Sequence, residues 1–347
     1  MNISESLCTV KKAGLESLEQ GRHLFQSVFW AEFKTHWGWN AEAFIISTSK
    51  EDCPVLMLSK TLGAGKSFGY IPFGPWLSRP EPEILAQAAH EIAALSESRP
   101  LFVRFDIPWA IGLETRPPFP PALPSLVKSP VDIQPSSTVI LNLELSEDKL
   151  LDDMKAKWRY NIRLAMKKQV EIREEDISFL PRWYALYRET SARDKIAIHS
   201  FQYYESLLET GKKKGPGFPE FKLFSAFHDN DFLSGIIVAR YNNVAIYLYG
   251  ASSNEKRNLM PNYLIQWKAI QWAKSRGCDS YDFYGIPPED DPAHPMHGLY
   301  RFKTGFGGVI LHRFGSYDCV LSKVGYSFYR AAETLRNFYF KVLKKRF

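Results

Sequence analysis

The chain has 347 residues, 45% hydrophobic, 14% aromatic and 24% charged, which excludes a largely disordered protein and exceeds the length that one core usually carries, so two domains are expected. Its net charge of +6 suits a polyanionic partner, whether nucleic acid, a diphosphate or an anionic membrane surface, without choosing among them. Cys8, Cys53, Cys278 and Cys319 lie far apart with no CxxC pair or neighbouring His cluster, so neither a disulfide framework nor a metal site is expected.

The N-terminal MNISESLCTVKKAG lacks a basic segment followed by an apolar core, and no apolar run approaches the length of a membrane span. The cytoplasm is therefore the expected compartment. Ser27 to Trp37 predicts a helix, with Lys34 on a different side from Trp30 and Phe33. Strands are expected at Ala43 to Ile46, Val55 to Ser59 and Phe68 to Ile71. Between the last two, GAGKS (Gly63 to Ser67) resembles a phosphate loop, but Lys60 stands where its first glycine belongs, so a hairpin turn is expected.

A helix from Glu83 to Leu95 precedes the strand LFVRFD, which should end on Asp106, a carboxylate placed either to face a cleft or to pair with Arg104. Pro108 to Pro135 is proline-rich and reads as a wrapping loop or a connection with a short helix inside. After a strand at Thr138 to Leu145, one long helix is expected from Ser146 to Gln169. Its Lys155, Lys157, Arg159, Arg163, Lys167 and Lys168, near Trp158 and Tyr160, could grip phosphates and stack on bases, or simply solvate the helix face.

A strand at Val170 to Arg173 and helices at Ile177 to Ala192 and Phe201 to Leu208 come next. Phe221 to Phe227, Leu233 to Tyr241 and Val244 to Ala251 then form an antiparallel meander, with HDND and Asn242-Asn243 as its turns. A helix follows from about Leu259 to Ser275, then a strand at Tyr281 to Tyr284, a polar loop, and a short helix from Gly298 to Phe306 closed by Gly307 and Gly308. Lys303 lies in that helix between Phe302 and Phe306. It is either a partly desolvated charge or a surface lysine snorkelling past aromatic neighbours. Short strands near Val309 to His312 and Tyr317 to Leu321 lead to an aromatic helix from Val324 to Lys345, which ends in KKRF. That helix could lie on an anionic bilayer, although packing on the first domain is preferred.

The order helix, helix, three antiparallel strands, helix, strand, helix is that of a GCN5-related acetyltransferase core, and the first half repeats it loosely. The expected fold is mixed α/β (α+β), with two such domains in tandem: residues 1–141 completed by 313–347, and residues 142–312. Acetyltransferases of this kind place small residues before the helix that receives the CoA pyrophosphate. Here the run is Arg257, Asn258, Leu259, Met260, Pro261, Asn262, so Met260 and Asn262 hinder that approach.

Seven segments in order, SVFWAEFK, FVRFD, KWRYNIRLAMKKQVEI, YLYGASS, YLIQWKAIQWA, YDFYGI and LYRFKTGFGG, resemble the Fem family (FemA, FemB and FemX type) of peptidoglycan interpeptide-bridge aminoacyltransferases, over nearly the whole length. The resemblance implies two acetyltransferase-like domains, aminoacyl-tRNA as donor instead of CoA, no cofactor, and a peptidoglycan precursor as acceptor, UDP-MurNAc-pentapeptide or its lipid-linked form. It implies that Lys34 and Tyr249 hold the precursor, with Tyr247, Tyr263 and His199 as further substrate contacts. Asp106 would be the acidic residue of the catalytic cleft and Lys303 the lysine near the reacting centre, stabilising charge across the cleft from Asp106. The basic set from Lys155 to Lys168 would face tRNA.

Departures from the family pattern are Leu101, where a tyrosine is expected, and His199, where an arginine is expected. Ala192 to Gly215 leaves no room for a long helical arm, so the chain looks FemX-like, and a monomer with at most peripheral contact to the inner membrane face is expected. A CoA-dependent N-acyltransferase and a catalytically inactive tRNA- or precursor-binding scaffold are the rival readings.

Overall fold

Residues 7–63, 65–78, 82–117, 121–123 and 125–338 are described by the structure, a computed structural model. The first half runs β1 (Thr9–Ala13), α1 (Val28–Thr35), β2 (Asn40–Ser47), β3 (Asp52–Gly63), β4 (Lys66–Ile71), α2 (Pro82–Leu95), β5 (Phe102–Leu113), β6 (Val127–Lys128) and β7 (Ser137–Asn142). The second begins with α3 (Glu147–Asp153), α4 (Ala156–Lys167), β8 (Glu171–Glu175), α5 (Leu180–Asp194) and α6 (Phe201–Thr210). It continues through β9 (Glu220–His228), β10 (Asp231–Tyr241), β11 (Val244–Ser252), α7 (Pro261–Ser275), β12 (Ser280–Asp282), α8 (His297–Thr304), β13 (Val309–Val320) and α9 (Lys323–Phe338).

One mixed sheet threads the molecule in the order β1-β2-β3-β4-β5-β13-β7-β12-β11-β10-β9-β8. The pattern repeats. β2, β3 and β4 form an antiparallel meander, α2 crosses over, and β5 pairs parallel to β4; β9, β10 and β11 form a second meander, α7 crosses over, and β12 pairs parallel to β11. A parallel pair needs such a crossover, whereas an antiparallel pair closes through a tight turn. β13 lies between β5 and β7 and joins the two patterns.

Three buried clusters hold the sheet. One packs around α2 and the first meander, and one packs α4 and α7 against the second. The third draws on both halves, joining Phe29, Phe33 and Phe102 to Trp183, Tyr204 and Ile246. A side-chain cluster drawn from both halves fixes their relation more firmly than backbone pairing alone, because its apolar area is lost from both if they separate.

The mixed α/β class matches the expectation from sequence, but several local readings need correction. The strand bearing Asp106 does not end there; β5 runs on to Leu113, and the register against β13 shifts between Arg313 and Gly315, so that Pro108, which has no N–H, falls in the irregular stretch. The two short strands expected after residue 308 are the single β13. The helix expected from Ser146 to Gln169 is two helices, α3 and α4, broken at extended Met154 and Lys155. No glycine or proline marks that break; the Lys155 amide donates instead to the Gly305 carbonyl (2.9 Å) and the Trp158 indole to the Phe302 carbonyl (2.9 Å). Among the described residues between β5 and β7 there is no helix. Lys34 shares a side of α1 with Trp30, its ammonium 5.5 Å from that ring, as residues four apart on a helix must. The expected KKRF end of the last helix lies outside the described residues.

Candidate active site

α1 begins at Ser27, whose side chain accepts a hydrogen bond from the Trp30 amide. Burial of Phe29, Trp30, Ala31 and Phe33 turns Lys34 toward a box of rings: its ammonium lies 5.5 Å from Trp30, 5.4 Å from Trp39 and 5.8 Å from Tyr203. Among the described residues no carboxylate pairs with it. Burial, and then the charge of Lys60, lowers its pKa to about 8. Lys60 itself sits 5.3 Å from the Trp39 ring. His199 stacks on Tyr203 at 3.8 Å, and its pKa is lowered by desolvation and then by Lys34. Tyr249 meets Tyr204 edge-on at 5.0 Å. Lys34, His199 and Tyr249 are thus gathered around Tyr203 and Tyr204 as a cation, an imidazole whose protonation is disfavoured, and a phenol.

Asp106, 3% exposed, adjoins this box through Tyr70, whose ring lies 6.0 Å from Trp39. Its two carboxylate oxygens accept hydrogen bonds from the Tyr70 and Ser316 hydroxyls. Gln134 donates to the Tyr70 oxygen (3.2 Å) and accepts from the Tyr284 hydroxyl. Burial raises the Asp106 pKa to about 6, against the lowering effect of those two hydroxyl donors. The carboxylate therefore anchors a row of polar groups, Tyr70, Gln134 and Tyr284, and does not itself open onto solvent.

Lys303 is 5% exposed. Its ammonium donates to the carbonyl oxygens of Phe283 (2.6 Å), Tyr284 (3.3 Å) and Gly285 (2.9 Å), and it lies 5.1 Å from the Tyr247 ring. Three acceptors match the three hydrogens of an ammonium, while burial lowers the pKa to about 7 and Asp282 opposes that shift. Tyr284, inside this clamp, has φ of 56°, a backbone conformation that a residue other than glycine adopts only at some cost and only where its surroundings enforce it. Asp282 accepts from the Tyr284 amide (2.7 Å) and the Thr138 hydroxyl. Lys303 and Asp106 do not meet directly. They are linked through Tyr284, whose carbonyl one holds and whose hydroxyl joins the network of the other.

α8 can carry Lys303 inward because of Gly305, where a Cβ would overlap the Trp158 ring. Tyr247 and Tyr249 flank a register shift in β11, where Ile237 faces Tyr249 and Val238 faces Tyr247, the kind of irregularity that re-aims side chains. A Cβ on Gly250 would collide with the Tyr247 hydroxyl, so that YLYG needs its glycine. Tyr263 packs on Trp158, Phe302 and Phe306, and none of its ring contacts is with the Lys34 group. In the basic set, Lys155, Lys157, Arg163, Lys167 and Lys168 are exposed. Arg159 is not free for a partner: its guanidinium caps the end of α3, donating to the carbonyls of Leu151, Asp152 and Met154.

The sequence of the FemAB family matches at residues 127–215 and 219–334, more than half of the chain. The chain belongs to the FemAB family. A lipid II:glycine glycyltransferase of Staphylococcus saprophyticus is 24% identical to it, with 93% of each chain covered. The protein of the same name from Staphylococcus aureus (strain MRSA252) is 23% identical over 55% of this chain and 60% of its own length. Among solved structures, the crystal structure of FemX shares the fold, with a TM-score of 0.77 at 19% identity, covering 92% of this chain and 99% of that one.

In this FemAB chain α7 opens on a left-handed residue, Met260, at φ 58° and ψ 39°, followed by Pro261. The Met260 side chain packs against the cluster that joins α4 and α7. Sequence reasoning missed Tyr70, Gln134, Ser316, Tyr284 and Arg313. Arg313 is 6% exposed; among the described residues its Nε has no partner, and its one side-chain hydrogen bond is to Asp282 at 3.4 Å. It also stacks 5.1 Å from Phe73 and helps to keep buried His23 neutral. Tyr284 could have been found, since it lies within YDFYGI; Gln134, in a proline-rich connection, had no such signal.

Proposed function

We propose that this FemAB protein transfers an amino acid from aminoacyl-tRNA to the diamino-acid side chain of a peptidoglycan stem-peptide precursor. The observation that carries the reading is the juxtaposition of the unpaired, desolvated Lys34, in its aromatic box, with the buried Asp106–Tyr70–Gln134–Tyr284 network. A cation without an anion in a partly desolvated cleft favours a phosphate-bearing ligand. The names of the glycyltransferase relatives support a lipid-linked acceptor, and the position of Met260 favours tRNA over CoA as the source of the acyl group.

The donor ester is already activated, so no covalent nucleophile is required. The acceptor amine bonds to the ester carbonyl carbon, the carbon–oxygen bond to ribose breaks, and the ribose oxygen leaves with the proton that the amine gives up. Lys34 anchors the precursor, with Tyr249 and His199 bordering the same box. Asp106 acts by positioning, since both of its oxygens are engaged. Lys303 holds the Phe283–Gly285 backbone and so places the Tyr284 hydroxyl, and its charge, acting through a desolvated medium, favours the developing oxyanion. The exposed lysines and Arg163 of α4 form the tRNA face, where each phosphate contact adds to the salt dependence of donor use. The test is transfer of labelled amino acid from charged tRNA to a muropeptide, with acetyl-CoA as the competing donor.

A further inference from the structure

α9 is pinned to the molecule along one side, where Tyr326 donates to Asp318 (2.8 Å) and Glu333 receives Arg104 (3.1 Å). The opposite side is apolar and uncovered: Val324 is 70% exposed, Phe328 74% and Leu335 70%. Their spacing puts all three within roughly 60° of arc on the helix, facing away from Tyr326, Tyr329 and Glu333. An exposed apolar stripe on an otherwise well-packed helix marks a contact surface.

The charges around the stripe select its partner. Glu333 is the only acid between Lys323 and Phe338, and it is buried. Exposed Lys323 stands at the start of the helix, and the β3–β4 hairpin beside it presents Lys60, Leu62 and Lys66 to solvent with no acid from Lys60 to Lys66. Leu62, Lys66, Val324 and Phe328 line one depression. Beyond α9 the sequence continues with Lys341, Lys344, Lys345 and Arg346 among apolar and aromatic residues. Apolar side chains flanked by lysines are what an anionic bilayer surface takes up, the first entering the acyl boundary and the second meeting the headgroups.

From this geometry we infer that α9 and the tip of the β3–β4 hairpin form a docking face for an anionic membrane surface. The hairpin part of this face borders the candidate active site: Lys60 lies 5.3 Å from the Trp39 ring, and Lys34 lies 5.4 Å from the same ring. A lipid-linked ligand whose phosphates reach Lys34 would then have its lipid directed toward the stripe. Docking stands without the transferase reading; only this use of it rests on that reading.

The test is flotation of the full chain with vesicles containing about 30% phosphatidylglycerol in phosphatidylcholine, against phosphatidylcholine alone. Wild type is expected to float with the anionic vesicles and not with the neutral ones. Phe328→Asp combined with Leu335→Asp should weaken that partition by about tenfold or more, at unchanged melting temperature and with unchanged transfer to a soluble nucleotide-linked acceptor. As a check that needs no disruptive variant, Phe328→Cys bearing a polarity-sensitive fluorophore should shift to the blue on anionic vesicles, the four native thiols being buried. Wild type that stays behind, a double variant that floats as well as wild type, or a concentration-dependent dimer abolished by the same substitutions would overturn the assignment. Absence of transfer by wild type to both the nucleotide-linked and the lipid-linked acceptor would instead count against the transferase reading alone.

Discussion

Lys303 donates to the Phe283 carbonyl at 2.6 Å, and with its bond to Gly285 at 2.9 Å it brackets Tyr284 in a left-handed conformation. The charge and the phenol are therefore one unit. Lys303→Ala should depress transfer by at least about tenfold, because it removes the field and releases Tyr284 together. Single-turnover transfer measures this, and near-normal rates would remove Lys303 from the mechanism.

Asp106 supplies a pH signature. Its pKa in the folded chain is raised to about 6, so between its ordinary value of 3.8 and about 6 the folded state holds the proton more tightly than the unfolded chain, and the contribution of this group to stability declines as pH rises through that window. If the network works with Asp106 ionised, kcat/KM should rise with pH through about 6. Asp106→Asn should lower activity and abolish that limb. Retention of the same limb in the variant would assign it to another group.

Lys34 should act on binding more than on chemistry. Its pKa of about 8 means that its charge is lost as pH rises through that value, so the KM for the acceptor should climb on the alkaline side. Lys34→Gln should raise that KM across the range with a smaller effect on kcat. Lys34→Arg should remove the alkaline rise, since arginine stays charged. Steady-state kinetics with the acceptor varied would distinguish these outcomes, and a change confined to kcat would argue against phosphate anchoring.

Arg104 ties three elements together, donating from Nε and Nη2 to Asp318 at 2.7 and 2.8 Å and from Nη1 to Glu333 at 3.1 Å. Asp318→Ala leaves a guanidinium without its bidentate partner in a site where both side chains are 3% exposed or less. A loss of about 3–5 kcal/mol in denaturant unfolding is expected, the cost of breaking such a pair on one side only. A loss below about 1 kcal/mol would show that the site admits water.

Much of this architecture was legible because its signals are local. The second meander announces itself through HDND and Asn242-Asn243, with Asp229 and Asn242 in the left-handed conformation that hairpin turns require. The motifs around Lys34, Asp106 and Lys303 gave their positions but not their surroundings. That Lys303 spends its hydrogens on three carbonyls, or that Asp106 is capped by Tyr70 and Ser316, depends on strands far apart in sequence. The break between α3 and α4 was unreadable for the same reason: the bonds that favour it come from α8, not from the helix itself. The wrong side given to Lys34 was an error of a different kind, since the spacing from Trp30 already places both on one face.

The central claim is aminoacyl transfer at this site. Total tRNA charged with amino acids is offered to the purified protein together with a nucleotide-linked or a lipid-linked muropeptide, and the product is weighed by mass spectrometry with acetyl-CoA present. The account predicts a muropeptide heavier by one or more aminoacyl residues, lost on Lys303→Ala and sensitive to ribonuclease. A muropeptide of unchanged mass with both acceptors, or one carrying an acetyl group instead, would contradict it.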